Sequence, residues 1–353
     1  MELPELNYQP VGPKNPSAFK TALIGCGGIS QYHLQAAKLW GVEVVALADI
    51  SEEAAQGRRD EFFPDAEVYT DHRALLERED VQVVEIATHT AVRAGQIRDA
   101  LEAKKHVLSQ KPFTFDLDEG ESLVRLAREN GVQLGVNQNG RWAPQFAAIL
   151  AAVQSGLLGD IHSLDMVMAW DHTFTRGTPF EELHHLILSD FAIHYFDVVA
   201  NVFADRKARS VFANAVKTPS QNMKPPMVAN AAINFGDGLA TLGFSAYETK
   251  AEKEFLCCVG SKGTLRALGR INRIAEMEYA NAEGSVTLPL QGNGFPDGFR
   301  GTLGEFLKAI EENRESTISG TNNLKSLELC FAALESADSG QVIVPGTVRK
   351  GRL

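Results

Sequence analysis

The segment Gly25-Cys26-Gly27-Gly28-Ile29-Ser30 restricts what this chain can fold into more than any other feature. It follows the apolar run Thr21 to Gly25, short enough for a buried strand, and opens into helix-like sequence. The pattern then repeats. Strand candidates at Val42 to Asp49, Val81 to Thr88, His106 to Ser109 and Val132 to Val136 alternate with helical stretches that carry acids early. Val/Ile-rich strands alternating with helices form right-handed βαβ units, so a doubly wound parallel sheet covered on both faces is expected through roughly residue 140. Beyond it, Pro144 to Asp160 and Ser189 to Phe203 have the pattern of helices. Six short strand candidates between Ala208 and Ala280, separated by Gly, Asn and Asp, predict a large open, mainly antiparallel sheet followed by two C-terminal helices. A chain of 353 residues is past the size at which one core keeps growing. The expected division is an arm over 1–19, an α/β domain over 20–140 and an α+β domain over 141–353.

The glycine segment matches G-x-G-x-x-G except that Ser30 takes the place of the last glycine. Three small residues let the backbone turn tightly and let a pyrophosphate rest on amides at a helix N-terminus, where the dipole favours negative charge. Ser30 is still small enough for helix and strand to pack closely. Asp49 stands 21 residues after Gly28 at the end of the next strand, where a carboxylate accepts hydrogen bonds from an adenosine ribose. It also repels a 2′-phosphate, and the adjoining Ile50 and Ser51 supply no arginine to neutralise one. NAD is therefore favoured, with NADP as the second choice. A plain βα turn and a strand-end aspartate would use the same residues, so context must decide.

Two further clusters carry chemistry. Gln110-Lys111-Pro112 comes directly after a strand, at the carboxyl edge of the sheet where doubly wound domains bind ligands. The proline biases Lys111 to an extended backbone and makes a cis bond inexpensive, although Lys-Pro also occurs in solvated loops. Asp190, His194 and Asp197 are spaced i, i+4 and i+7, on one face of a helix. Oxidising an alcohol needs a base for the hydroxyl proton, and a histidine with a reference pKa of about 6.5, oriented by a carboxylate, suits that task. The alternatives are a core histidine and a helix-end carboxylate. His184 and His185 with Asp190 show no known metal-ligand spacing, and no metal is expected.

Composition narrows the partners. A net charge of −11 with no Lys/Arg run gives no electrostatic footprint for nucleic acid or for an anionic membrane. No uncharged apolar stretch reaches the roughly 18 residues needed to cross a bilayer, and the first twenty residues lack the basic start and apolar run of a signal peptide. Cys26, Cys257, Cys258 and Cys330 form no Cys-x-x-Cys spacing. Reduced thiols and a cytoplasmic location are expected.

Taken together these segments resemble the glucose-fructose oxidoreductase, inositol dehydrogenase and rhizopine catabolism (Gfo/Idh/MocA) family. The resemblance runs from about Lys20 to about Gly346. It rests on the glycine turn, Asp49, Glu102 to Pro112 (similar to A-G-K-H-V-x-x-E-K-P), Arg141-Trp142, Ser155 to Ile161 (similar to G-x-I/L-G-x-I) and the D-x-x-x-H of Asp190 and His194. It implies a Rossmann domain and a C-terminal domain whose open sheet makes homodimers or homotetramers. It implies an NAD(P)-dependent oxidoreductase acting on a secondary hydroxyl or ketone of a sugar, glycoside or inositol-like polyol. By the resemblance Lys111 positions and polarises the reacting hydroxyl, His194 is the acid/base, and Asp190 orients it or binds substrate. Gly25, Gly27, Gly28, Ile29, Ser30, Asp49 and Ile50 hold NAD, with Thr88, Gln110, Lys111 and Gln138 around the nicotinamide half. Substrate candidates, in segments expected to line a cleft, are Lys111, Asn139, Arg141, Asp171, His172, Asp190, His194, Tyr247 and Arg300. The chain departs from the family pattern at Gln110 (usually Glu), His89 (usually Pro) and Arg93 (commonly His). Two alternatives stay open: a glycosidase that oxidises its sugar transiently through bound NAD, and a non-catalytic NAD-binding regulator.

Overall fold

The computed structural model describes residues 5–271 and 273–352, so the first four residues of the expected N-terminal arm lie outside it. The chain divides into two compact units, the first comprising 10–139 and 295–324, the second 140–294 with 325 onward and the start of the chain.

In the first unit β1 (Lys20–Ile24), β2 (Glu43–Ala48), β3 (Glu67–Tyr69), β4 (Val83–Ile86), β5 (His106–Gln110) and β6 (Leu134–Asn137) form one sheet in the order β3-β2-β1-β4-β5-β6. All its pairings are parallel. Between the strands run α1 (Ser30–Trp40), α2 (Glu52–Phe62), α3 (His72–Leu76), α4 (Thr90–Glu102) and α5 (Leu117–Glu129). The helix starts follow the local chemistry: Ser51 Oγ accepts the Ala54 N–H at α2, and an Asp116 carboxylate oxygen accepts two N–H groups at α5. The doubly wound sheet expected from the sequence is thus present, with the three-residue β3 as an added edge strand.

The units depart from the expected division at both ends: residues 10–19 of the expected arm group with the parallel sheet while the start of the chain groups with the second unit, and a C-terminal segment changes sides. The segment 295–324 belongs with the parallel sheet, not with the second unit. Its main helix follows from apolar side chains on one face. Phe306 fills the space a side chain on Gly135 would take, Phe299 packs edge-on to His33 with centroids 4.9 Å apart, and Thr302 Oγ1 donates to Asn137 Oδ1 at 2.6 Å. Such pairing over more than 150 residues of sequence leaves no local signal.

The second unit holds α6 (Pro144–Gln154), β7 (Ile161–Ala169), α7 (Ile193–Val202), then β8 (Ser210–Val216), β9 (Val228–Asn234), β10 (Leu239–Ser245), β11 (Lys253–Gly260), β12 (Thr264–Gly269), β13 (Glu276–Asn281) and β14 (Gly284–Pro289). The eight strands run β14-β13-β12-β11-β7-β10-β9-β8. Every pairing is antiparallel except β7 with β10. One face is buried through Leu164, Met166, Leu242, Phe244, Leu256 and Cys258, with α7 packed on β7. In the chain two C-terminal helices follow, α8 (Gly294–Glu311) almost wholly in the first unit and α9 (Gly320–Ser339), most of which lies in the second. Among the described residues no helix is long and apolar enough to cross a membrane.

One expected helix differs. Ser189 to Phe203 is not a single α-helix: Ile187–Phe191 forms one π-turn, and α7 starts afresh at Ile193. Asp190 therefore precedes His194 in a wider turn than the i, i+4 spacing assumed.

Candidate functional site

In the first unit the glycines of the turn have different jobs. Gly25 has φ +97°, and a Cβ there would lie 2.8 Å from the Ala87 carbonyl carbon and the Thr88 nitrogen. This position needs glycine for both its backbone and its neighbours. A Cβ on Gly27 or Gly28 would meet no atom within 4 Å, and both residues are exposed. The N-terminus of α1 has no capping side chain and follows directly on this exposed turn, the Ser30 and Tyr32 N–H groups being held by the Gly27 and Ile29 carbonyls. That is the cradle a pyrophosphate requires.

Asp49 closes the other side. One of its carboxylate oxygens accepts the Cys26 N–H at 2.7 Å and the other the Ser51 N–H at 2.9 Å. These bonds fix the carboxylate at the end of β2, and each oxygen retains a lone pair for a ribose hydroxyl. Burial, reinforced by the Asp49 charge, pushes the Cys26 thiol up to about 12. Ile50 is 97% exposed beside Asp49, available to an adenine face. The sequence reading missed Arg58: from α2 its Nε donates to Ser30 Oγ at 3.1 Å and its Nη2 to the Gly27 carbonyl at 3.4 Å. An arginine does reach the glycine turn, from nine residues past Asp49, where the packing of α2 rather than adjacency brings it.

Along the carboxyl edge of the same sheet, Gln110 Oε1 accepts the Lys111 N–H at 2.7 Å, and Lys111–Pro112 is cis. The amide of Gln110 turns its other end toward His33 Nε2 at 3.5 Å, while His33 Nδ1 faces Glu85 Oε2 at 2.6 Å in the buried interior. Arg93, a departure from the family pattern, is buried and donates to the carbonyls of Thr88 and Pro112, joining the ends of two loops. Thr88 Oγ1 donates to Gln96 Oε1 at 2.5 Å. Gln138 is buried with neither amide atom hydrogen-bonded, a cost of about 1–3 kcal/mol unless a bound group meets it. An exposed glycine turn at a helix N-terminus, a fixed carboxylate and an orphaned side-chain amide fit a dinucleotide.

In the second unit, the run 186–198 is buried except at Asp190, Phe191 and His194. The π-turn and the start of α7 therefore present these three on one part-exposed edge. Gly140 fits against the histidine: a Cβ on it would sit 3.0 Å from His194 Cβ and 3.1 Å from Nδ1. His172 lies close by, its ring edge-on to Phe191 with centroids 5.4 Å apart, and its Nδ1 accepts the Trp170 indole N–H at 3.0 Å. That bond leaves the ring proton on Nε2 in the neutral form. Asp171 pairs with Tyr247 in an isolated antiparallel bridge; the Tyr247 hydroxyl donates to Asn222 and an Asp171 oxygen accepts the Thr173 N–H.

Three of the substrate candidates are packed within their own units. Arg141 is committed bidentately to buried Asp197, through Nε at 2.9 Å and Nη2 at 2.7 Å. Asn139 is buried, with its carbonyl against Gly298 of α8. Arg300 lies over the Trp40 ring, 4.7 Å from its centroid. For Arg141 and Arg300, packing within the unit engages a charged group that composition alone left available.

Residues 19–138 match the family model described as an oxidoreductase family with an NAD-binding Rossmann fold, GFO/IDH/MocA, and residues 146–266 match that family's C-terminal domain. A D-apiose dehydrogenase of Paraburkholderia graminis is 26% identical over 342 residues, covering 92% of this chain and 89% of its own. An oxidoreductase from Agrobacterium radiobacter, crystallised with NAD+, L-tartaric acid and magnesium, has the same fold at TM-score 0.84 and 21% identity, covering 93% of this chain and 99% of that one. A levoglucosan dehydrogenase in complex with NADH and levoglucosan gives 0.79 at 19% identity, covering 93% and 100%.

Proposed function

Because this chain belongs to the Gfo/Idh/MocA oxidoreductase family and has its NAD-binding Rossmann fold, we propose that it is a dehydrogenase of a neutral sugar or polyol, acting on a secondary hydroxyl and preferring NAD to NADP. The observation that carries this reading is the part-exposed edge of Asp190 and His194 in an otherwise buried run. When bound, the nicotinamide ring supplies the hydride acceptor. Lys111 places a cation by the reacting oxygen, and His194 takes the hydroxyl proton and returns it in the reverse direction. Asp190 orients the imidazole or holds a neighbouring substrate hydroxyl. Gly27, Gly28 and the N-terminal end of α1 hold the pyrophosphate, and Asp49 holds the adenosine ribose. His172, Asp171 and Tyr247 supply hydrogen-bonding groups to the polyol. The relatives named for apiose and levoglucosan support this substrate class.

The same reading includes assembly and location. Across the open face of the second sheet, Val167 pairs with Phe255 and Phe255 with Leu268, Leu268 being 70% exposed. An apolar row of this kind supports pairing of two copies through the sheet. Four free thiols support a reducing, cytoplasmic setting.

The test is a panel of neutral sugars, glycosides and polyols scanned at 340 nm with NAD and NADP separately. Steady NADH production with one polyol, abolished in Lys111→Ala and His194→Ala, is the expected result. Activity unchanged by either substitution would sink the assignment, and glycoside cleavage without NADH would replace it with transient oxidation.

A further inference from the structure

The loop entering the π-turn and the C-terminal end of α9 bring together His184, His185 and Asp338, which the proposed chemistry does not use. His184 Nε2 lies 2.9 Å from both Asp338 carboxylate oxygens, and His185 Nε2 lies 2.9 Å from one of them, Oδ1. All three ligand atoms fall within 4.8 Å of one another, and the imidazole centroids are 4.1 Å apart. Consecutive side chains ordinarily diverge; His185 adopts φ +47°, and both rings point to one carboxylate.

Those distances have a meaning for a metal. Nitrogen and oxygen ligands bind first-row ions at about 2.0–2.1 Å, so two ligands at right angles stand about 2.9 Å apart. Two N···O separations of that length meeting at one oxygen match the edges of an octahedron; without an ion between them they are hydrogen bonds from the rings to the carboxylate, which an ion would replace. The other carboxylate oxygen, Oδ2, is steadied by Arg352 Nη1 at 3.0 Å, the kind of outer partner that orients a ligating carboxylate.

We propose that His184 Nε2, His185 Nε2 and Asp338 Oδ1 bind one divalent transition-metal ion, with water completing its shell. Two imidazoles and one carboxylate select copper, nickel or zinc over magnesium or calcium. The role is structural. The His185 carbonyl accepts the N–H groups of Leu188 and Ser189, so an ion here fastens the first turn of the Asp190 segment to the end of α9. The site is independent of the dehydrogenase reading, and its test does not use activity.

The tag-free, chelator-stripped full chain is titrated with Cu2+ and followed by electron paramagnetic resonance. One ion per chain with superhyperfine coupling from two nitrogens is expected, and Zn2+ at about a hundredfold over its dissociation constant raises the melting temperature by a few degrees. His184→Gln and Asp338→Asn, with folding checked by circular dichroism, lose both effects. A copper spectrum without nitrogen coupling overturns the proposal on the unaltered chain. Binding of undiminished stoichiometry in both variants overturns it too.

Discussion

Arg141 and Asp197 meet fork to fork, two charge-assisted hydrogen bonds of 2.9 and 2.7 Å between side chains that are both buried, with Ser326 Oγ donating to the same carboxylate at 3.1 Å. Removing one partner strands the other's charge in the interior. Arg141→Ala is expected to lower stability by about 3–5 kcal/mol, measured by chemical denaturation. A raised substrate KM at unchanged stability would instead return Arg141 to substrate binding.

Gly140 sets the position of His194. Alanine there places a methyl 3.0 Å from the histidine's Cβ, and the ring must move. Gly140→Ala is expected to cut kcat by about tenfold to a hundredfold while leaving NADH affinity, read by fluorescence, unchanged. Equal loss of cofactor binding would show that the damage spreads beyond the histidine.

The glycines of the turn separate fold from function. Gly25→Ala combines a disfavoured φ with a backbone clash and is expected to destabilise the chain by more than about 1 kcal/mol. Gly28→Val puts its side chain into open space, so the melting temperature stays within a degree or two while NAD affinity, measured by calorimetry, falls at least tenfold. Two variants with the same loss of stability would erase the distinction.

His106 gives a pH dependence of known sign. Burial holds its imidazole below the usual range, and its Nδ1 accepts the Gln133 N–H at 3.1 Å. Because the folded state resists protonation, this residue's contribution is intact above the unfolded value of about 6.5 and is lost progressively as pH falls from there through the lower folded-state value. Melting temperature between pH 7 and 5.5 should therefore drop less steeply in His106→Gln than in the unaltered chain.

Much of the fold is legible because its signals are local. The strands and helices of the parallel sheet alternate with the right period, and the glycine turn marks the first crossover. β7 was not legible: Val167 and Ala169 are apolar on the open face just as Met166 and Met168 are on the buried one, so the alternation that marks a half-buried strand is blurred. The π-turn escaped for a different reason, since a widened turn keeps helical composition. In the site, Asp49 and Lys111 follow from strand ends. Arg58 and the Gly140 contact with His194 depend on packing between distant segments, which no spacing rule records. The pairing of Arg141 with Asp197 was not legible, because a polar residue beside a motif looks available until its partner is known.

The lone parallel pairing in the second sheet, β7 with β10, has a kinetic consequence. Parallel neighbours cannot be joined by a hairpin, and here everything between Ala169 and Leu239 must be looped out before they meet, the Asp190 and His194 segment included. Closing so long a loop is entropically slow, whereas the hairpins β8 to β10 and β11 to β14 are contiguous in sequence. The two halves of the sheet can therefore form early as separate meanders. β7, paired with β11 on one side and β10 on the other, is the seam where they join, and the slowest step of assembling this unit is the one that encloses its proposed acid/base.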